Sequence, residues 1–221
     1  MNKIQKIDTF VFDLDGTLID SGPDITAAIN RFLSKQNFPS VNVDTVEKYL
    51  GDGPLALVSG VLSSLNARVD DGFLKKACNT YLAYYSENPV SHTEFFPYVK
   101  DDLETLKNIG FHLAICTNKT QSMAEKVLGG LGISHLFDVV VGADSVENCK
   151  PDGGHLLAVL SAMGVKKEQS LYIGDTMVDV KTAQNAGVDM RLVEWGGGNE
   201  IKNPIYKRID RLLCLKDVNE K

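Results

Sequence analysis

No apolar run in this sequence is long enough to cross a bilayer as a helix, no two cysteines have C-x-x-C spacing, and no long block of like charge stands out. Each absence removes a class of function. A membrane-spanning helix is excluded. Cys78, Cys116, Cys149 and Cys214 are widely separated, so zinc-site and thioredoxin-like readings fail, and reduced thiols in a cytoplasmic protein account for them. A formal net charge of -6 without basic runs argues against a nucleic-acid partner. The N-terminal Met1-Asn2-Lys3-Ile4-Gln5-Lys6 is basic, but the apolar run after it is brief and soon reaches Asp13, so it does not read as a signal peptide. There is no internal repeat and no low-complexity segment. What remains is a 221-residue chain, 43% hydrophobic and 24% charged, sized for one large domain or two modest ones.

The stretch that organises it runs from Thr9 to Ser21. Thr9-Phe10-Val11-Phe12 reads as a short buried strand. It ends in Asp13 and Asp15, which an extended backbone points the same way, and then Gly16. Two neighbouring carboxylates repel unless something compensates them, and a hard divalent cation such as Mg²⁺ is the natural compensator. Gly16 permits a sharp turn, and Thr17 offers a hydroxyl. The plainer alternative is a strand-ending turn, since Asp and Gly are ordinary turn residues.

From Gly22 to about residue 88 the pattern is helical throughout. Ile25, Ala28, Ile29, Phe32 and Leu33 recur at helical spacing, and helices are expected over 43–50, 55–65 and 73–87. From Pro97 onward strands alternate with helices. Strands are expected at His112–Cys116, Val139–Val141, Leu171–Ile173, Met190–Val193 and Arg211–Leu215. Helices are expected over 99–108, 121–128, 155–163 and 178–185. That alternation predicts an α/β fold with a Rossmann-like parallel sheet, interrupted after its first strand by a helical insertion. The division is a core of residues 1–20 and 89–221 and a helical cap of residues 21–88.

Polar residues recur where the expected strands end: Asp13 and Asp15, Thr117 and Asn118, Asp175 and Asp179, with Lys150 in a loop that opens a helix. Ligands bind at that carboxyl edge in open parallel sheets. Singly, each has an ordinary reading: Thr117 as a helix cap, Lys150 as a surface lysine, Asp175 and Asp179 as a helix-start acid and a surface residue. Together they suit a phosphoryl group with Mg²⁺. His92, His112, His135 and His155 show no ligand-like spacing and read as structural or surface residues. Tyr81, Tyr84 and Tyr85 read as helix packing. Trp195-Gly196-Gly197-Gly198 reads as a turn or as a loop at the edge of the site.

The motifs Asp13-Leu14-Asp15-Gly16-Thr17, Thr117-Asn118, Lys150-Pro151 and Gly174-Asp175-Thr176-Met177-Val178-Asp179 resemble, in order and spacing, those of the haloacid dehalogenase-like superfamily in its phosphatase branch. Ser21-Gly22-Pro23-Asp24-Ile25 and Gly51-Asp52-Gly53 are most similar to phosphoglycolate phosphatases. The resemblance implies Asp13 as the nucleophile that forms an aspartyl-phosphate and Asp15 as general acid and then base. It implies Mg²⁺ held by Asp13, the Asp15 carbonyl and Asp175, with Asp179 supporting the metal shell. Thr117, Asn118 and Lys150 would bind the phosphoryl group, and Gly51, Asp52 and Gly53 in the cap loop would meet the far end of a small phosphate ester. Asp15 favours phosphoryl transfer over dehalogenation, because an alkoxide needs protonation on leaving and a halide does not. Pyrophosphatase, nucleotidase and sugar phosphomutase remain alternatives on the same scaffold, as does a non-catalytic binding protein. The cap loop lacks the basic residue that such mutases use, although Lys48 is near.

Overall fold

The computed structural model describes residues 6–203 and 205–220. The basic stretch Met1–Gln5 lies outside them. In chain order the elements are β1 (Thr9–Phe12), β2 (Ile19–Asp20), α1 (Gly22–Lys35), α2 (Val43–Glu47), α3 (Pro54–Ser64), α4 (Asp71–Glu87) and β3 (Glu94–Phe95). There follow α5 (Val99–Asn108), β4 (His112–Cys116), α6 (Gln121–Gly130), β5 (Val139–Val141), α7 (Gly153–Met163), β6 (Ser170–Gly174), α8 (Met177–Ala186), β7 (Met190–Val193) and β8 (Arg208–Ile209).

The strand β1 is buried at every position, as an inner strand covered on both faces must be. Phe10 and Phe12 point into one core with Leu113, Ile115, Leu171 and Ile173 from the flanking strands. Val11 points the other way, onto Ala114, Tyr172 and the helix residues Leu156, Val159 and Ala183. This is the period-two alternation of an extended chain. Each such apolar side chain contributes about 1.5–3 kcal/mol relative to leaving it in water. The sheet order is β5-β4-β1-β6-β7-β8, parallel throughout. The chain builds outward from β1 through β4 to β5, then crosses back to β6 on the other side. The reversal falls beside β1, where such sheets bind ligands.

Register decides what meets there. Phe12 stands opposite Ile115 of β4 and Ile173 of β6. Hence Asp13, Thr117 and Asp175, which directly follow β1, β4 and β6, emerge side by side at one edge.

The helical block α1–α4 is inserted between β2 and β3, an antiparallel pair that joins Ile19 to Phe95 and Asp20 to Glu94. Pro23 in the first turn of α1 supplies a pre-set φ without losing a needed donor. The buried Asp24 accepts the N–H groups of His92 and Thr93 and the Thr93 hydroxyl, which ties the outgoing chain to the returning one. No helix among the described residues is long and apolar enough to cross a membrane.

Two expectations need correction. The helix expected over 43–50 stops at Glu47, because the chain turns toward Gly51, whose φ of 95° no helix accommodates. The strand expected over Arg211–Leu215 is instead a 3₁₀ helix, Leu212–Asp217, and the last strand lies earlier, where Arg208 and Ile209 pair with Leu192 and Val193. The carboxylate of Asp102 accepts the Leu213 N–H at 3.0 Å and the Arg211 guanidinium at 2.9 Å, which curls the segment. Leu212 and Leu215 then bury together at the i, i+3 spacing of such a helix. The two-residue strands β2 and β3 were unexpected; they are too short to carry an alternation.

Candidate active site

At the carboxyl edge of the sheet Asp13 leaves β1 almost wholly buried, its N–H donating to the Ile173 carbonyl. The Lys150 ammonium approaches Asp13 Oδ1 at 2.8 Å and Asp179 Oδ1 at the same distance, and it reaches the Tyr172 hydroxyl at 3.1 Å. Tyr172 in turn donates to Asp179 Oδ1 at 2.7 Å. Asp179 is fixed from its other oxygen by a capping box at the start of α8, accepting the N–H and hydroxyl of Thr176. Asp175 accepts Thr17 Oγ1 at 2.8 Å and the Gly197 N–H at 2.9 Å. Asp13, Asp175 and Asp179 each bring an oxygen within 4.8 Å of the others.

Gly16 is the residue that lets these groups crowd. Its φ is 87°, and a Cβ there would fall 2.3 Å from Asp175 Oδ2. Only glycine can hold both that conformation and that approach.

The electrostatics follow from burial. Burial raises Asp13 to about 7; the Lys150 charge opposes this, and Asp179 and Asp15 reinforce it. Asp175 is pushed well above the usual carboxylate range by burial and then by Asp179 and Asp13. Burial also acts on Asp179, but Lys150 and the hydrogen bonds from Thr176 and Tyr172 outweigh it and leave Asp179 lowered. Lys150 is buried too, yet Asp13 and Asp179 hold it protonated. One lysine thus pairs with two of three clustered buried acids, Asp13 and Asp179 but not Asp175. Hard oxygen donors with too little positive charge among them fit a divalent cation.

Asp15 is mostly buried, accepts a hydrogen bond from Ser21 Oγ, and stands 3.0 Å from Lys119 Nζ. Thr117 is buried, and its hydroxyl accepts the Lys119 N–H at 3.2 Å rather than capping a helix. The side-chain amide of Asn118 donates to the carbonyls of Gly51 at 2.9 Å and Lys150 at 3.0 Å, so it ties the cap loop to the lysine loop. Its carbonyl oxygen is buried without a partner among the described residues.

The lysine loop is also held by His155, whose Nδ1 accepts the Lys150 N–H at 3.2 Å while Nε2 meets the Val141 carbonyl at 3.1 Å. Beyond Asp13 and Asp15 lies a cavity of about 40 Å³ walled by both the sheet edge and the helical block, including Ile25, Leu57 and Tyr85. Gly51 and Gly53 line it, whereas Asp52 is exposed and does not.

The sequence assigned no role to several of these side chains. Ser21 and Lys119 reach Asp15 from six residues after it and from the loop after β4. Lys119 carried a signal, since it directly continues the polar pair Thr117-Asn118. Tyr172 lay inside an apolar run and gave none. The glycines after Trp195 do border the site: Gly197 binds Asp175, and Trp195 Nε1 donates to the Thr17 carbonyl at 2.9 Å.

The model of a haloacid dehalogenase-like hydrolase family matches residues 10–193. The chain belongs to that family. Its curated relatives include a phosphoglycolate phosphatase of Aquifex aeolicus, 37% identical over 186 residues that make up 84% of each chain. Another is a phosphoglycolate phosphatase of Colwellia psychrerythraea, 34% identical over 85% of this chain and 84% of that one. Among solved structures, one described as a predicted phosphoglycolate phosphatase from Haemophilus somnus superposes with a TM-score of 0.87 at 26% identity, covering 99% of this chain and 100% of the other. A haloacid dehalogenase-like family hydrolase from Streptococcus pneumoniae gives 0.79 at 25% identity, over 97% and 99%. Family membership agrees with the α/β core and the helical block inserted after its first strand.

Proposed function

We propose that the chain is a Mg²⁺-dependent phosphatase that hydrolyses 2-phosphoglycolate through an aspartyl-phosphate on Asp13. The observation that carries the proposal is the meeting of Asp13, Lys150 and Asp175 at the ends of neighbouring strands, with Asp15 facing a small cavity. A phosphoric monoester hydrolase is also what the curated relatives are.

In this reading Lys150 holds Asp13 Oδ1 and leaves Oδ2 for phosphorus. The Asp13 oxygen forms a bond to phosphorus while the bond to the ester oxygen breaks, and Asp15 gives its proton to the departing alkoxide. Asp15 then takes a proton from water, whose oxygen attacks phosphorus, releasing phosphate and restoring the Asp13 carboxylate. Thr117 and Lys150 bind phosphoryl oxygens, Lys150 as a point charge. Asn118 serves the phosphate pocket by fixing the Lys150 loop. Asp13, the Asp15 carbonyl and Asp175 would hold Mg²⁺, with Asp179 supporting them, and bound Mg²⁺ supplies the charge neutralisation that lets an anionic nucleophile meet an anionic ester.

Residues 21–88 act as the cap, which closes over the core of residues 1–20 and 89–221 and excludes bulk water. The cavity is walled by both parts, so the leaving group would lie against Ile25, Leu57 and Tyr85 of the cap. The choice of 2-phosphoglycolate rests on the curated relatives. The four cysteines form no disulfide, as in a cytoplasmic protein.

The test is turnover of a panel of phosphate monoesters with Mg²⁺ and with EDTA, ranked by kcat/KM. The proposal expects 2-phosphoglycolate at the top and no turnover in EDTA. Preference for a nucleotide or sugar phosphate would overturn the substrate; activity unaffected by EDTA would overturn the metal.

A further inference from the structure

The steps above leave Lys119 unused. Among the described residues lining the cavity it is the only cation, and its side chain is just 6% exposed. Its surroundings come from two parts of the fold. The sheet edge contributes Asp15, 3.0 Å from the ammonium. The helix α4 contributes Tyr85, whose hydroxyl lies 3.2 Å away and whose ring is 4.8 Å from the ammonium, with Tyr81 stacked on Tyr85.

An ammonium has three donors, and Asp15 and Tyr85 engage two, so one remains for a ligand. The other walls nearby are apolar or neutral, namely Ile25, Leu57 and Met123. A buried lysine with a donor to spare, facing a half-open and mostly apolar space, can receive an anion.

We propose that Lys119, with the Tyr85 hydroxyl, binds the carboxylate of the substrate and makes the enzyme selective for phosphate esters bearing a carboxylate on the carbon next to the ester oxygen. This rests on the phosphatase reading and names the group that sets its specificity. Spacing supports it. Asp15 serves the ester oxygen, and Lys119 stands one ion-pair distance from Asp15, so the anion it receives lies within a few bonds of that oxygen. In 2-phosphoglycolate a single carbon separates the ester oxygen from the carboxylate. An esterified ethyl group has the same length and no charge. Without Lys119 the incoming carboxylate would face Asp15 with no cation among the described residues lining the cavity. Because Tyr85 rides on the helical block and Lys119 on the core, the pair is complete only when the two are together, which couples recognition of the carboxylate to closure.

The test compares 2-phosphoglycolate with ethyl phosphate in the wild type, Lys119→Met and Tyr85→Phe. The wild type should prefer 2-phosphoglycolate by about a hundredfold or more in kcat/KM. Lys119→Met should lose about a hundredfold on 2-phosphoglycolate and only a few-fold on ethyl phosphate. Tyr85→Phe, which keeps the ring, should raise KM for 2-phosphoglycolate several-fold and change that for ethyl phosphate much less. Equal losses on both esters would overturn the proposal and assign Lys119 to Asp15 alone. A wild type that hydrolyses both esters equally well would overturn it while leaving the phosphatase reading intact. A wild type that hydrolyses neither would overturn that reading itself.

Discussion

Lys150 Nζ lies 2.8 Å from Asp13 Oδ1, with the two side chains 1% and 3% exposed. A buried ion pair of this kind is weak evidence for stability, since both charges lose their water. Its placement beside Asp175 and Asp179 points to chemistry instead, because a single ammonium cannot neutralise three acids.

Replacing Lys150 with Met removes that ammonium. We expect kcat on 2-phosphoglycolate to fall by about a thousandfold, as when a preorganised charge is deleted from a phosphoryl site. In EDTA the variant should also be destabilised, by about 3 kcal/mol, because Asp13 and Asp179 are left without their partner. Added Mg²⁺ should recover part of that loss. Thermal unfolding with and without Mg²⁺ checks both statements, and an unchanged midpoint in EDTA would contradict the second.

Mg²⁺ affinity should depend on pH. Burial raises Asp13 to about 7, so protons compete with a cation for its carboxylate below neutrality. Calorimetric titration should show binding weakening as pH falls from about 7 toward 5, with proton release on binding in that window. Binding that is flat across it would contradict the geometry of the acidic cluster as a metal site.

His155 should impose its own pH dependence on folding. It is fully buried, and burial lowers it from 6.5 to about 4, with the Val141 carbonyl opposing and the Lys150 charge reinforcing. The folded state therefore stays neutral where the unfolded state takes up a proton. Stability falls as pH drops from 6.5 to about 4, by about 3 kcal/mol over the window. Urea unfolding from pH 7 to 4.5 should show a smaller slope for His155→Gln than for the wild type; identical slopes would assign the dependence elsewhere.

Much of this arrangement was legible in the sequence. The parallel strands and most helices follow from apolar runs and helical spacing, and Asp13 and Asp175 fall directly after strands that the pattern marks. Register then brings them together without further instruction. What stayed hidden depends on tertiary proximity. Lys119 meets Tyr85 only because α4 folds back over the sheet edge, and Tyr172 reads as one more apolar strand residue until its hydroxyl is seen on Asp179. Of the four histidines, His155 takes the structural role that the sequence reading allowed, and its task of fixing the lysine loop shows only in the fold. The final strand was misplaced because Asp102, more than a hundred residues earlier, bends the Arg211–Leu213 segment.

The role of Asp13 admits the most direct measurement. Enzyme quenched in acid during turnover of 2-phosphoglycolate, reduced with borohydride and mapped by peptide mass spectrometry should carry homoserine at position 13, the product of reducing an acyl phosphate. Asp13→Asn should show neither the modification nor turnover. Full activity in that variant, or the label on another carboxylate, would contradict the account.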